Sequence, residues 1–437
     1  MEKLITELFD FIESSPTAFH TVETTRRLLT GAGFTELSET EPWKLSPGKG
    51  YFTTRNMSSV IAFHFPKKDF HGFSVVAPHG DSPCFKIKGS PEMKVEEHYV
   101  KLNTEVYGGM ALNLWTDRPL SVAGRLTLRT EKGVKALLTD LKRDLLLIPG
   151  LAIHMNREAN SGSKIDPQKD TLPLLGGSEA ELLSLLAEQA GVDKEEILSH
   201  DLYLYHRARG TVFGAAEEFI AAPKLDDLEC VFSAVTAFLQ SDNPENCRIC
   251  AIFDNEETGS MTRQGAGATF LSDVISRICK AAGKDEEQRQ LAIQNGMLLS
   301  ADNAHAVHPN YPEKADPTSR CYLNEGIVIK HSSHYATDGV TAGLFHRICE
   351  RAEVPTQEFY NHSSNPGGGT LGLISGAQVA IPTVDIGLPQ LGMHSPYETA
   401  GRADVAHMVN AMTAFFNTVI AAGEDNSWSL NGRGGRQ

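Results

Sequence analysis

Asp254-Asn255-Glu256-Glu257-Thr258-Gly259-Ser260 follows directly on the apolar run Ile249 to Phe253. That run reads as a buried strand, and it hands two adjacent carboxylates to the loop beyond it. Burying such a pair is costly unless a positive group compensates the charge, and a metal ion is the simplest one. Glu257 then suits a metal ligand and Glu256 a general base facing a water on that metal. Taken alone, the run also reads as a solvated acidic turn.

Four other stretches have the same character. His79 and Asp81 stand two apart at the end of the apolar strand Phe73 to Ala77. Both can therefore face one side, with Asp81 orienting a metal-bound imidazole. Asp226 and Asp227, in Pro223-Lys224-Leu225-Asp226-Asp227-Leu228, open a helix. They suit either a capping pair or a carboxylate bridging two ions. Asp302 follows the strand Met297 to Ala301, with His305 and His308 close behind. His394 lies just after Val384-Asp385-Ile386-Gly387, and there the plainer reading is a surface histidine. Strand ends opening into loops are where α/β folds place their sites. The combined inventory is two histidines, His79 and His394, and three ligand carboxylates, Asp226, Glu257 and Asp302, with Glu256 left over as base. Nitrogen and oxygen donors without thiolate fit Zn2+, with Mn2+ or Co2+ as the other options.

Around these stretches the chain alternates. Two helices are expected from about 2 to 32, with Ser15 as N-cap and Pro16 at the first helical position. Strands follow at Tyr51 to Thr54 and Val60 to Phe65. From about Cys84 to Ala222 β-segments dominate, at His98 to Val106, Leu120 to Thr130 and Leu202 to Tyr205. An α/β rhythm resumes at Pro223. It ends in a helix from about Asp404 to Ala421 and a glycine-rich tail that reads as unstructured or as a remnant of cloning.

The 437 residues make two domains the default. With 40 basic and 55 acidic residues the formal net charge is -15, which argues against nucleic acid or an anionic membrane as partner. Seven cysteines imply no disulfide framework and fit a reducing compartment. Cys247 and Cys250 have CxxC spacing on a strand, where residues three apart face opposite sides, so packing is favoured over metal binding. No apolar signal core or membrane-length run is present, so a cytoplasmic location is expected.

Ala77 to Pro83, Lys224 to Leu228, Asp254 to Ser260, Ser300 to Tyr311 and Gly392 to Ser395 together resemble the motif set of the aspartyl aminopeptidase family, in its order and roughly its spacing. Ser14-Ser15-Pro16-Thr17-Ala18-Phe19-His20 resembles that family's N-terminus. The likeness runs from about residue 5 to 420. It implies an α/β fold: a mixed-sheet, zinc-exopeptidase-like catalytic domain at 1–88 and 223–437, interrupted by a β-rich dimerisation domain at 89–222. It implies two divalent ions on His79, Asp226, Glu257, Asp302 and His394, with Glu256 as acid/base and Asp81 orienting. It also implies peptide substrates with a free N-terminus, an acidic Asp/Glu preference through Lys330 and Tyr335, and self-association into dodecamers. In those assemblies His154 would reach a neighbour's site, and His305 would help hold the oxyanion. Asp227 stands where the family usually has Asn, and the segment between Lys330 and Tyr335 is shorter than in eukaryotic members. The competing expectations are a dinuclear-metal aminopeptidase of neutral specificity, an N-acyl amino acid deacylase and, more remotely, a catalytically silent binding scaffold. There is no Gly-x-Ser-x-Gly elbow to support a serine hydrolase.

Overall fold

The computed structural model describes residues 1–162, 164–364 and 367–432. Its largest element is a nine-stranded mixed sheet. In spatial order the strands are Thr35–Leu37, Gly50–Arg55, Ser59–His64, Cys247–Ile252, Phe73–Ala77, Met297–Ala301, Thr383–Gly387, Ile327–His331 and Thr356–Tyr360. The four strands from Cys247–Ile252 to Thr383–Gly387 run parallel to one another. Their carboxyl ends therefore share one edge, and the residues that follow them are delivered to one place. His79 and Phe253 even extend the pairing by a parallel bridge.

These central strands are short apolar runs because both faces are covered, as parallel sheets require. Val76, Cys250, Leu299 and Val384 face a core that includes the helices Leu225–Gln240, Gly339–Arg351 and Asp404–Phe416. Val75, Cys247 and Leu298 face a second core with the helix Phe270–Ala281. Cys247 and Cys250 thus pack into opposite faces as free, buried thiols.

Between Cys84 and His206 lies a six-stranded sheet, in the order Gly133–Asp140, Leu120–Thr130, Ile197–His206, Cys84–Val95, Tyr99–Tyr107 and Leu174–Gly177, antiparallel at every pairing. It has its own core of Phe85, Val100, Leu102, Trp115, Leu126 and Leu202, among others. A smaller sheet contains Phe219–Ala222, Glu398–Gly401, Pro389–Leu391 and Ala304–His305. It brings the segments holding Asp226 and His394 beside the edge of the large sheet.

Two local expectations are corrected. The second helix starts at Ala18 with Thr17 as its N-cap residue, and Ser15 is buried with its hydroxyl unpaired rather than capping. Thr17 is extended (φ -144°, ψ 166°), so the helix begins two residues after Pro16. The last helix stops at Phe416, and the chain then forms a hairpin of Thr418–Ala422 with Trp428–Gly432. The run Thr418-Val419-Ile420-Ala421-Ala422 opens on β-branched residues that suit a strand better than a helix end. The part of the tail expected to be unstructured that falls at 433–437 lies outside the described residues.

Candidate metal centre

At the shared edge, carboxylates and imidazoles converge from five segments. The His79 Nε2 lies 3.7 Å from Asp226 Oδ1 and 3.8 Å from Asp302 Oδ1. His394 Nε2 lies 3.3 Å from Asp226 Oδ2 and 3.4 Å from Glu257 Oε2. Asp226 therefore stands between two donor groups with one oxygen turned to each. His79, Asp226, Asp227 and Asp302 each offer a ligand atom within 4.8 Å of the others, and so do Asp226, Glu257 and His394.

The local backbone explains how these side chains arrive. Asp226 and Asp227 sit at the helix start in non-helical conformations, with a cis peptide between them. Neither caps the helix. Asp227 Oδ2 accepts the backbone N–H of His79 (3.1 Å), and the Asp226 N–H donates to Glu398 Oε2 (2.9 Å). Glu398 Oε1 accepts the N–H of His394 (2.7 Å). The Asp254–Ser260 turn pivots on Asn255 at φ 61°, a conformation Asn tolerates better than most residues. Its side-chain oxygen accepts from Thr262 (2.7 Å) and Gln264 (2.8 Å). Asp81 Oδ1 and Oδ2 accept the N–H groups of Glu256 (3.1 Å) and Glu257 (3.2 Å). His79 Nδ1 lies 3.1 Å from the Asp81 carbonyl and 3.4 Å from its carboxylate. With Nδ1 so engaged, Nε2 is the nitrogen left for a ligand bond.

The electrostatics are those of a cluster able to hold a cation. Burial opposes charge on His79, and Asp227, Asp302 and Asp81 outweigh it, holding the imidazole well above its ordinary range. The same contest, with Asp226 dominant, lifts His394 to about 9. Burial raises Glu257 strongly, with Asp226 adding to it. Burial, opposed by His79 and reinforced by Asp302, Asp81 and Asp226, lifts Glu256 to about 7. Asp302 goes the other way, because Lys330 and His79 overcome its burial. Asp226 Oδ1 and Glu257 Oε1 are buried without any hydrogen-bond donor, an arrangement native proteins rarely leave unfilled. Imidazole nitrogens and carboxylate oxygens, two of them orphaned, fit zinc.

A model of the aminopeptidase I zinc metalloprotease family (M18) matches residues 11–416. The chain belongs to the M18 family, that of the aspartyl aminopeptidases. It is a metallo-aminopeptidase of that family, a hydrolase acting on peptides. M18 relatives include the "probable M18 family aminopeptidase 2" of Clostridium novyi, 43% identical over 427 residues and covering 95% of this chain and 99% of the relative. The protein of the same name from Ectopseudomonas mendocina is 40% identical over 429 residues, covering 95% and 99%. Among solved structures, a chain of the Ape4 and Nbr1 complex superposes with a TM-score of 0.91 at 34% identity, over 95% of this chain and 85% of that one. The S. cerevisiae mApe1 dodecamer gives 0.83 at 29%, over 94% and 95%.

The remaining residues singled out in this M18 chain fall in different places. His305 sits on the short strand Ala304–His305, with its ring 6.3 Å from Phe359, and burial holds it on the neutral side. Lys330 is not presented to an open pocket as expected. Its side chain is 3% exposed, and its ammonium donates to Asp302 Oδ2 (3.1 Å) and to the carbonyls of Asp302 (2.8 Å) and Asn303 (3.1 Å). Three donors meet three acceptors. The cause is the register of Ile327–His331, which points residue 330 back under the ligand loop. Tyr335 lies over that ammonium, with its ring 5.3 Å away. His154 is exposed, between the exposed apolar side chains of Ile153 and Met155.

Sequence reading missed three contributors: Glu398, which holds two ligand backbones, and Tyr107 and Gly109 from the six-stranded sheet. The Gly109 carbonyl accepts from His394 Nδ1 (2.6 Å) and so turns Nε2 to the centre. Glu398 lies four residues beyond His394, just past the stretch Gly392 to Ser395. The paired glycines after Tyr107 were a turn signal, with nothing in the sequence to say what the turn would face.

Proposed function

We propose that this chain removes N-terminal residues from peptides by a two-metal mechanism, with Glu256 as general base and Asp81 orienting His79. Asp226 would bridge, His79 and Asp302 would complete one site, and Glu257 and His394 the other. The observation that carries this reading is the placement of the two Asp226 oxygens, one toward each histidine. Ions held there would polarise the scissile carbonyl and acidify the attacking water, with zinc favoured and Mn2+ or Co2+ as the other options. Glu256, clustered with His79 and Glu257, would be the carboxylate that moves the proton. It takes the water's proton as the C–O bond forms, and gives it to the departing amine nitrogen as the C–N bond breaks.

An acidic preference is supported by a feature other than Lys330. A cavity of about 330 Å3, reaching Gly392 close to His394, is lined by Lys314, His308 and His362, with the neutral His305, and by no carboxylate among the described residues. A carboxylate side chain is the complementary occupant. Tyr335, over the Lys330 ammonium, would act on substrate by way of Lys330 and Asp302.

The likeness to the mApe1 dodecamer supports a dodecamer built from dimers, with residues 89–222 as the dimerisation unit and 1–88 with 223–437 as the catalytic one. Exposed Leu151, Ile153 and Met155 flank His154, which suits burial of that segment against a second copy, with His154 reaching its site. Seven free cysteines support the cytoplasm. No helix among the described residues is long and apolar enough to cross a membrane.

The test is a panel of Asp, Glu, Leu and Ala anilides and N-acyl amino acids, assayed before and after chelation and with zinc or manganese added back. Glu256→Gln is assayed beside the wild type, with metal content measured. Metal-dependent release of Asp and Glu, lost in Glu256→Gln at unchanged metal content, is expected. Normal turnover in Glu256→Gln refutes the base. Release confined to N-acyl substrates refutes the aminopeptidase mechanism.

A further inference from the structure

The strand Tyr99–Tyr107 belongs to the six-stranded sheet, yet its end enters the centre. The Tyr107 hydroxyl donates to Asp81 Oδ2 (2.6 Å) and accepts from Asn255 Nδ2 (2.9 Å). Its ring packs edge-on against Tyr203 at 5.6 Å. The next residue, Gly108, has φ +77°, and a Cβ there would lie 3.1 Å from the Cβ of Glu257. The backbone passes against Glu257 at a distance few side chains would permit. Gly109 then supplies the carbonyl that holds His394. Three consecutive residues of one strap thus touch Asp81, Glu257 and His394.

Asp81 is the point on which the others turn. Its two oxygens hold the backbone of Glu256 and Glu257, and its carboxylate and carbonyl face His79. The short hydroxyl bond at Oδ2, itself anchored by Asn255 from the same turn as Glu256, adds a third and the shortest anchor to the two backbone bonds.

We propose that Tyr107 is a positioning residue of the catalytic centre, acting through Asp81, and that the Tyr107–Gly109 strap makes the six-stranded sheet part of the active site. The proposal rests on the two-metal reading above for the identity of the groups positioned. Outer partners of metal ligands change affinity or activity by about 10–100-fold when lost, and Tyr107 stands one contact behind them.

The experiment uses the full chain carrying Tyr107→Phe, which removes the hydroxyl and keeps the ring. Three quantities are read: kcat and KM on the best anilide substrate, the rate at which zinc passes from the loaded protein to a chelator, and Tm. Expected are a kcat lower by about tenfold at a KM within about twofold, and zinc release faster by a similar factor. Tyr203→Phe, which removes a neighbouring hydroxyl that makes no hydrogen bond to Asp81, serves as the control for hydroxyl loss and leaves both rates unchanged. In an Asp81→Asn background, adding Tyr107→Phe produces no further change in zinc release, because the two act as one unit. Wild-type kcat and zinc release in Tyr107→Phe overturn the proposal, as do equal losses in Tyr203→Phe or additive effects with Asp81→Asn. The zinc-release arm needs no turnover, so it stands apart from the outcome for Glu256→Gln.

Discussion

Lys330→Met separates two roles for a buried lysine. In the structure the ammonium is 3% exposed and spends all three donors on Asp302 and Asn303. Burial opposes its charge, and Asp302, with Tyr335 and Asp385 behind it, keeps the ammonium above the ordinary lysine range. Methionine keeps the length and removes the charge, leaving the buried Asp302 carboxylate with His79 as its one remaining cationic neighbour in the chelated protein. Removing one partner of a buried pair costs about 3–5 kcal/mol. Unfolding entropy of about 2.1 cal/mol/K per residue, over 437 residues, turns that into a Tm loss of roughly 3–5 °C. The assays are thermal melts of chelated protein and kcat/KM for Asp, Glu and Leu anilides. Melting should fall by that amount, and kcat/KM should fall for all three substrates together, because Asp302 is displaced for every one of them. An unchanged Tm with selective loss of Asp and Glu cleavage would refute this and return Lys330 to the substrate.

Three further outcomes follow from the same geometry. Lys314→Met should lower the Asp-to-Leu ratio of kcat/KM by about two- to fivefold, the worth of one partly solvated charge; an unchanged ratio removes Lys314 from the pocket's charge. Glu398→Gln places an amide NH2 against one of two backbone N–H groups, at a cost of about 1–3 kcal/mol, and should weaken zinc binding at the His394 side by about 10–100-fold; titration with a zinc-buffered indicator checks it. In the chelated protein, Glu256 keeps its proton to about pH 7 against 4.5 for an ordinary glutamate, and His394 to about 9 against 6.5. The folded form therefore binds more protons than the unfolded chain across this interval. Chelated protein should lose stability as pH rises from about 5 to 9, and melts that rise over that range would contradict the assignment.

Much of the candidate site was legible because His79, Glu257 and Asp302 follow short apolar strands that run parallel, and parallel neighbours must end on one edge; Asp226, at a helix start, has no such signal. Val75, Val76 and Ala77 announce His79 in the way Leu298 and Leu299 announce Asp302. The roles of Lys330 and Tyr107 were not legible, for physical reasons. Whether Lys330 faces a pocket or the ligand loop depends on the pairing of Ile327–His331 with Thr383–Gly387 and Thr356–Tyr360, which no local pattern encodes. Tyr107 meets Asp81 only because two sheets separated in the chain come together. Its neighbours Val106 and Glu105 give a strand signal and nothing about what the strand ends on. The helix-to-strand change after Phe416 was hidden by a different effect, since an apolar run at a chain end suits either state until a partner strand is found.

The two carboxylates that touch no ligand atom directed at the centre explain why the others are free to do so. Asp81 and Glu398 each accept two backbone N–H groups, from Glu256 and Glu257 in one case and from Asp226 and His394 in the other. Amide dipoles offset part of the cost of burying these acids without spending a cation on them. The same four bonds fix the backbones of three ligands and of the proposed base. What remains unbalanced is confined to the inward oxygens, among them Asp226 Oδ1 and Glu257 Oε1. Lys330 is the one lysine or arginine among the described residues recorded within ion-pair reach of a ligand carboxylate, and it sits on Asp302 alone. On the proposed reading, a site built this way would gain both its metal affinity and its metal-dependent stability from one arrangement. It follows that a substitution adding a positive charge beside Glu257 should stabilise the chelated protein while weakening zinc binding.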